Sequence, residues 1–121
     1  VSPEALQALV DDATFDYVAG DAAGALAKLA VATSQAPGSF EAWLAAAEVN
    51  LSLRRMDEAL AAADTAAALR PADPLVIATL SRIWMERGDK AKAERYGAMA
   101  RVQGWREELQ SPPPVDADGL R

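Results

Sequence analysis

Residues of matching character recur in this chain at an interval of 34. Pro37 and Pro71 stand that far apart, as do Ala25, Ala59 and Ala93, and again Ala32, Ala66 and Ala100. Phe15, Val49 and Ile83 repeat the spacing, and so do Ala13, Ala47 and Ser81. Gly20-Asp21 and Gly88-Asp89 lie two intervals apart, with Arg54-Arg55 in the slot between them. One register accounts for all of these: 6–39, 40–73 and 74–107. A period of this length marks an array of small units. No unit buries both of its faces alone, and stacking buries them.

Each unit reads as two helices. In the middle one, Trp43, Ala46, Ala47, Val49 and Asn50 follow a three-to-four spacing that ends at Leu53. A second run holds Ala59, Leu60, Ala63, Ala66, Ala67 and Leu69, after a break at Arg55-Met56. Pro71 cannot continue that helix and biases Arg70 out of the helical region. Gly20 and Gly88 supply the left-handed stops in the outer units. Asp21, Asp57 and Asp89 then fall near helix starts, where a carboxylate caps free N–H groups and meets the positive dipole end. The alanines let second helices approach their neighbours closely. The fourth and tenth positions of the first helices (Leu9, Trp43, Ile77; Phe15, Val49, Ile83) are expected to fill the space between units. Of the 121 residues 29 are Ala, which leaves few large apolar side chains for a sheet core but enough for close-packed helices.

This unit resembles the tetratricopeptide repeat. The middle copy matches best, with Trp43 at position four, Ala47 at eight, Ala59 at twenty, Ala66 at twenty-seven and Pro71 at thirty-two, and with Met56–Leu60 and Leu69–Pro74 close to the family's usual ending. The third copy keeps Ala93 and Ala100, puts Trp84 where Tyr is preferred, and has Trp105 in place of Pro. The first keeps Gly20-Asp21, Ala25, Ala32 and Pro37 but departs at Asp12 and Asp16. The resemblance spans 102 of the 121 residues. It implies an all-α superhelix, a solenoid of about six antiparallel helices, with a short C-terminal capping helix built on Trp105 and Leu109 after an interruption at Gly104. Residues 1–5 read as a lead-in, in which Ser2 can cap and Pro3 suits a first turn. Residues 108–121 read as the end of the cap and a Pro-rich, flexible tail, which is either a spacer or a ligand for an aromatic groove.

In this family the first helices line a concave surface. Carried over residue by residue, the resemblance assigns partner binding to Val10, Thr14 and Tyr17 in the first unit, to Leu44, Glu48, Leu51 and Ser52 in the second, and to Ala78, Arg82 and Met85 in the third. Tyr17, Leu51 and Met85 would form one apolar stripe, and Val10, Leu44 and Ala78 another. A contiguous exposed patch of this kind suits an apolar helix or extended segment of a partner protein. The alternative is that these residues pack between adjacent first helices or under the N-terminal segment. The family's carboxylate-gripping Lys and Asn slots hold Val10, Thr14, Ala45, Leu75 and Thr79, so acidic C-terminal tails are not expected ligands. Arg82 is the lone base of the groove, placed to meet an acidic ligand group, Glu48 or Glu86.

Charge and composition narrow the classes further. Lys and Arg total 12 against 18 Asp and Glu, a net charge of −6, which argues against general nucleic-acid binding. Without Cys or His there is no disulfide, no zinc site of the usual type, no thiol nucleophile and no His relay. Asp12 and Asp16 share a helix face, but two carboxylates make at most a weak cation site. No phosphate loop or nucleophile motif occurs, so no catalysis and no cofactor are expected. The first two units carry −3 each and the third +3. Lys90, Lys92, Arg95 and Arg101 give the last helix a basic face. That face is either a solvated surface or a dock for an acidic partner, including the acidic N-terminal end of another copy. The functional expectation is a non-catalytic scaffold or adaptor; a permanent assembly subunit and a self-assembling repeat are the alternatives. No stretch is long and apolar enough for a membrane span or a signal peptide. The start at Val1 suggests a trimmed or processed piece. The absence of Cys fits a cytoplasmic or a periplasmic setting equally, and the Ala- and Arg-rich composition points to a GC-rich bacterial source.

Overall fold

The structure, a computed structural model, describes residues 1–110. Those residues form six helices and no strand: α1 Pro3–Val18, α2 Ala22–Gln35, α3 Phe40–Ser52, α4 Met56–Leu69, α5 Pro74–Glu86 and α6 Lys90–Gln110. The expected Pro-rich tail lies outside the described residues.

Local chemistry sets most of the helix ends. Ser2, Asp21, Ser39 and Asp73 each accept a backbone N–H of the first turn they cap, and Pro3 and Pro74 follow two of these caps. Asp89 does the same for α6, accepting from the Lys92 N–H at 3.0 Å. α4 has no side-chain cap; Asp57 lies inside its first turn, and its carboxylate meets Arg87 at 2.8 Å. The pair-internal turns share one device. Gly20 and Gly88 sit at φ 93° and 84°, and Arg54 takes the same left-handed region at φ 62° in the slot between them.

The helices pack as three antiparallel pairs, α1 with α2, α3 with α4 and α5 with α6. Each second helix also packs on the next first helix, α2 on α3 and α4 on α5. The main core joins Phe40, Leu44 and Leu51 to Val76, Leu80 and Ile83 across the second and third pairs. A smaller cluster of Ala13, Ala25, Leu29 and Val49 joins the first pair to the second. Alanines at both junctions allow the close approach that the sequence implies, Ala25 and Ala32 on α2, Ala59 and Ala66 on α4.

Two expectations are corrected. Phe15 does not fill space between units: it is 71% exposed, while Val49 and Ile83 at the same register position are buried. That position points back onto the preceding pair, and among the described residues no helix pair precedes α1. No separate capping helix forms either. α6 runs unbroken through Gly104 to Gln110, and Trp105 and Leu109 are exposed rather than folded over the end of the stack.

Candidate functional site

The face built by α1, α3 and α5 carries the residues singled out by the sequence, but it divides them. Thr14, Tyr17, Glu48, Ser52, Ala78, Arg82 and Met85 are exposed. Val10, Leu44 and Leu51 are buried, which breaks the two continuous stripes expected there. The reason is directional. Positions five and twelve of each first helix lean toward the next first helix. Val10 packs beside Ala42 of α3, and Leu44 and Leu51 join Val76 and Leu80 of α5 in one cluster. Among the described residues no first helix follows α5, and Ala78 and Met85 are open to solvent there, with Leu75 beside them. Tyr17 is the exception among the earlier helices: it is 39% exposed although α3 follows.

Two depressions follow this face. One of about 60 Å³ lies between α1 and α3 and is lined by Thr14, Tyr17 and Glu48 together with Ala45 and Val49. The other, about 270 Å³, lies between α3 and α5 and is lined by Leu51, Ser52, Arg54, Arg82, Met85 and Glu86. Its rim is polar. Arg54 pairs with Glu86, so Glu86 is not the partner of Arg82, and among the described residues Arg82 has no ion pair. Glu48 is likewise without one, whereas Glu41 at the far end of α3 meets Arg70 at 3.2 Å.

The acidic pair on α1 is also resolved. The Asp16 carboxylate lies 2.7 Å from the Lys28 ammonium and ties α1 to α2. The hydrogen bond to Asp16 raises the Lys28 pKa above its ordinary 10.5; burial opposes the shift, and the charges of Asp16, Asp12 and Asp21 add to it. Among the described residues no group of three or more Asp or Glu side chains is placed to hold a metal ion.

A further cavity lies at a place that the sequence pattern did not single out. About 490 Å³ lies between the α4–α5 turn and α6, bordered by Pro71, Ile77, Met99 and Val102. The signal was present in the change from Trp43 to Ile77 at position four.

These features identify the family. The paired helices, the left-handed turns and the small residues at pair junctions agree with a family model, described as "Tetratricopeptide repeat", that matches residues 19–83. The chain is a tetratricopeptide-repeat protein. No curated protein matches it. Among solved structures, 16 chains match. One of them belongs to a structure titled "CopN-Scc3 complex". It is 20% identical, covers 85% of this chain, and superposes with a TM-score of 0.78. This tetratricopeptide-repeat chain spans only 61% of the length of that one, and at such identity the likeness is one of fold. A tetratricopeptide-repeat solenoid supports a protein–protein interaction role, and the fold is generally non-catalytic. No described helix is long and apolar enough to cross a membrane.

Proposed function

We propose that the chain is a scaffold module that binds an apolar helix or extended segment of a partner protein along the face of α1, α3 and α5, with its firmest hold at α5. One observation carries the reading. Ala78 stands at a register position that is buried on both earlier first helices, and Met85 at one that is buried on α3, yet Met85 is 55% exposed beside a cleft that also holds Ser52 and Arg82. An apolar side chain of the partner would cover Met85, and Arg82 would meet an acidic group next to it. Thr14, Tyr17 and Glu48 offer a second, shallower contact, while Val10, Leu44 and Leu51 support the face from beneath.

The reading is tested by placing a photo-crosslinking amino acid at Met85, Ser52 or, as a control on the opposite side, Ala61. Adducts with one partner from Met85 and Ser52 but not Ala61, lost in a folded Tyr17→Asp/Arg82→Glu variant, are expected. Equal adducts from Ala61 would sink it.

A second reading is head-to-tail association of copies. Phe15 at the acidic end and Met85 near the basic end are both register positions that an added helix pair would bury. Its signature is a sedimentation coefficient that rises with protein concentration at low salt and falls back as salt screens the ends.

A further inference from the structure

The middle helix pair contains a template for the cavity under α6. In that pair, Trp43 lies partly buried between the turn preceding α3 and α4, and its indole N–H donates to the Pro37 carbonyl at 2.8 Å. Thirty-four residues on, Ile77 and Pro71 hold the same two places, and both border the open cavity of about 490 Å³. The Ile77 side chain is too short to fill what an indole fills one pair earlier and has no N–H to offer Pro71, and its backbone N–H donates to the Asp73 carbonyl. The walls are apolar, formed by Ala98, Met99 and Val102 of α6, and the mouth is basic, with Arg95 and Arg106 beside it. Among the described residues neither arginine has an ion pair.

We propose that this cavity seats an indole side chain presented by an acidic segment of a partner protein. The indole would lie against Ile77, Met99 and Val102 and donate its N–H toward the Pro71 carbonyl, as Trp43 does toward Pro37. Arg95 and Arg106 would meet flanking carboxylates, and a guanidinium also stacks well on an aromatic face. Interface hot spots are enriched in Trp and Arg, and a buried aromatic anchor shielded from water by the contacts around it is their usual form. This seat lies away from the face of α1, α3 and α5, so either reading can fail while the other stands.

The full chain, with labelled Ile, Met and Val methyl groups, is titrated with the peptide acetyl-Asp-Glu-Trp-Glu-Asp-amide and followed by NMR. Saturable shifts at Ile77, Met99 and Val102 are expected, and the peptide with Ala in place of Trp should bind at least about tenfold more weakly. A peptide with Asn and Gln in place of its acids, and the Arg95→Glu variant, should each weaken binding by about as much. Ile77→Trp should abolish the response, since the chain would then supply its own indole; if circular dichroism shows that variant unfolded, Val102→Glu at the exposed rim gives the same loss. Absence of saturable shifts, or shifts confined to Met85 and its neighbours, overturns the proposal. So do groove shifts that appear with protein concentration alone, which would assign the cavity to a second copy. Groove shifts altered by Val115→Glu or Leu120→Glu without peptide would assign it to the chain's own C-terminal segment.

Discussion

Leu51 and Met85 occupy one register position and have opposite surroundings. Leu51 is 4% exposed in the main core, and Met85 lies open on the last first helix. Truncating Leu51 to Ala leaves a cavity lined by Val76, Leu80 and Ile83 and should cost about 2–5 kcal/mol. The same change at Met85 should stay within about 0.5 kcal/mol. Urea unfolding of the two variants separates them, and similar losses would contradict the directional account of the face. Leu51→Asp, a natural probe if the stripe were exposed, would instead bury a charge and unfold the chain. Sequence periodicity located the helix face that carries Leu51. It was silent on which neighbour covers that face, because the answer depends on how many first helices follow. A second residue-scale expectation concerns Lys28. Its pKa is raised by the bond to Asp16, so the stability it contributes is fully present below 10.5, the ordinary lysine value, and is lost as pH rises through the raised folded value. The pair is exposed enough to be screened, and the contribution is correspondingly small. An NMR titration of the Lys28 side chain should show the elevation in the wild type and its loss in Asp16→Asn; an unchanged titration in that variant would assign the shift to another group.

At the scale of the element, most helix ends were legible because they rest on one or two residues. Ser39 and Asp73 cap, Gly20 and Gly88 turn left-handed, and Pro74 opens a first turn. The exception is instructive. Gly104 reads as a break, yet α6 passes straight through it. A helical glycine costs only about 1 kcal/mol relative to Ala, and here no other breaker stands beside it. The turn at Gly88 is different, since its φ of 84° is one that a side chain resists. A Cβ at Gly104 would meet nothing within 4 Å. Gly104→Ala is therefore expected to stabilise the last turns of α6 by about 0.5–1 kcal/mol, whereas Gly88→Ala should destabilise the chain by about 1–2 kcal/mol. Thermal melts of the two variants should move in opposite directions, with amide exchange near Trp105 slowing only in the first. A lowered melting point for Gly104→Ala would mean that the glycine holds a bend that α6 requires.

Across the whole molecule the two ends of the stack are unlike, and the 34-residue register explains how. Position ten points backward, so the first helix leaves Phe15 uncovered; positions five and twelve point forward, so the last leaves Ala78 and Met85 uncovered. These surfaces belong to positions that meet one another inside the stack, and the acidic α1 and basic α6 add opposite charge. On the second helices, however, α6 departs from its counterparts. Where α2 carries Leu26 and Thr33 and α4 carries Leu60 and Ala67, α6 carries Glu94 and Arg101, paired at 2.7 Å across Gly97. A copy docking head to tail would have to cover that ion pair, and desolvating two charges opposes what Phe15 gains by burial. Wild-type association is therefore expected to be weak and readily reversed by salt. The double variant Glu94→Leu/Arg101→Ala restores the α4 pattern and removes the obstacle. Because the contact is heterologous and does not close on itself, copies should then add without limit into rods. Sedimentation velocity should show a broad, concentration-dependent distribution for the double variant, collapsing to a single small species when Phe15→Asp is added. Rods that survive Phe15→Asp would mean that the association uses a different face, and a double variant that stays small would leave Phe15 and Met85 as surfaces for other partners.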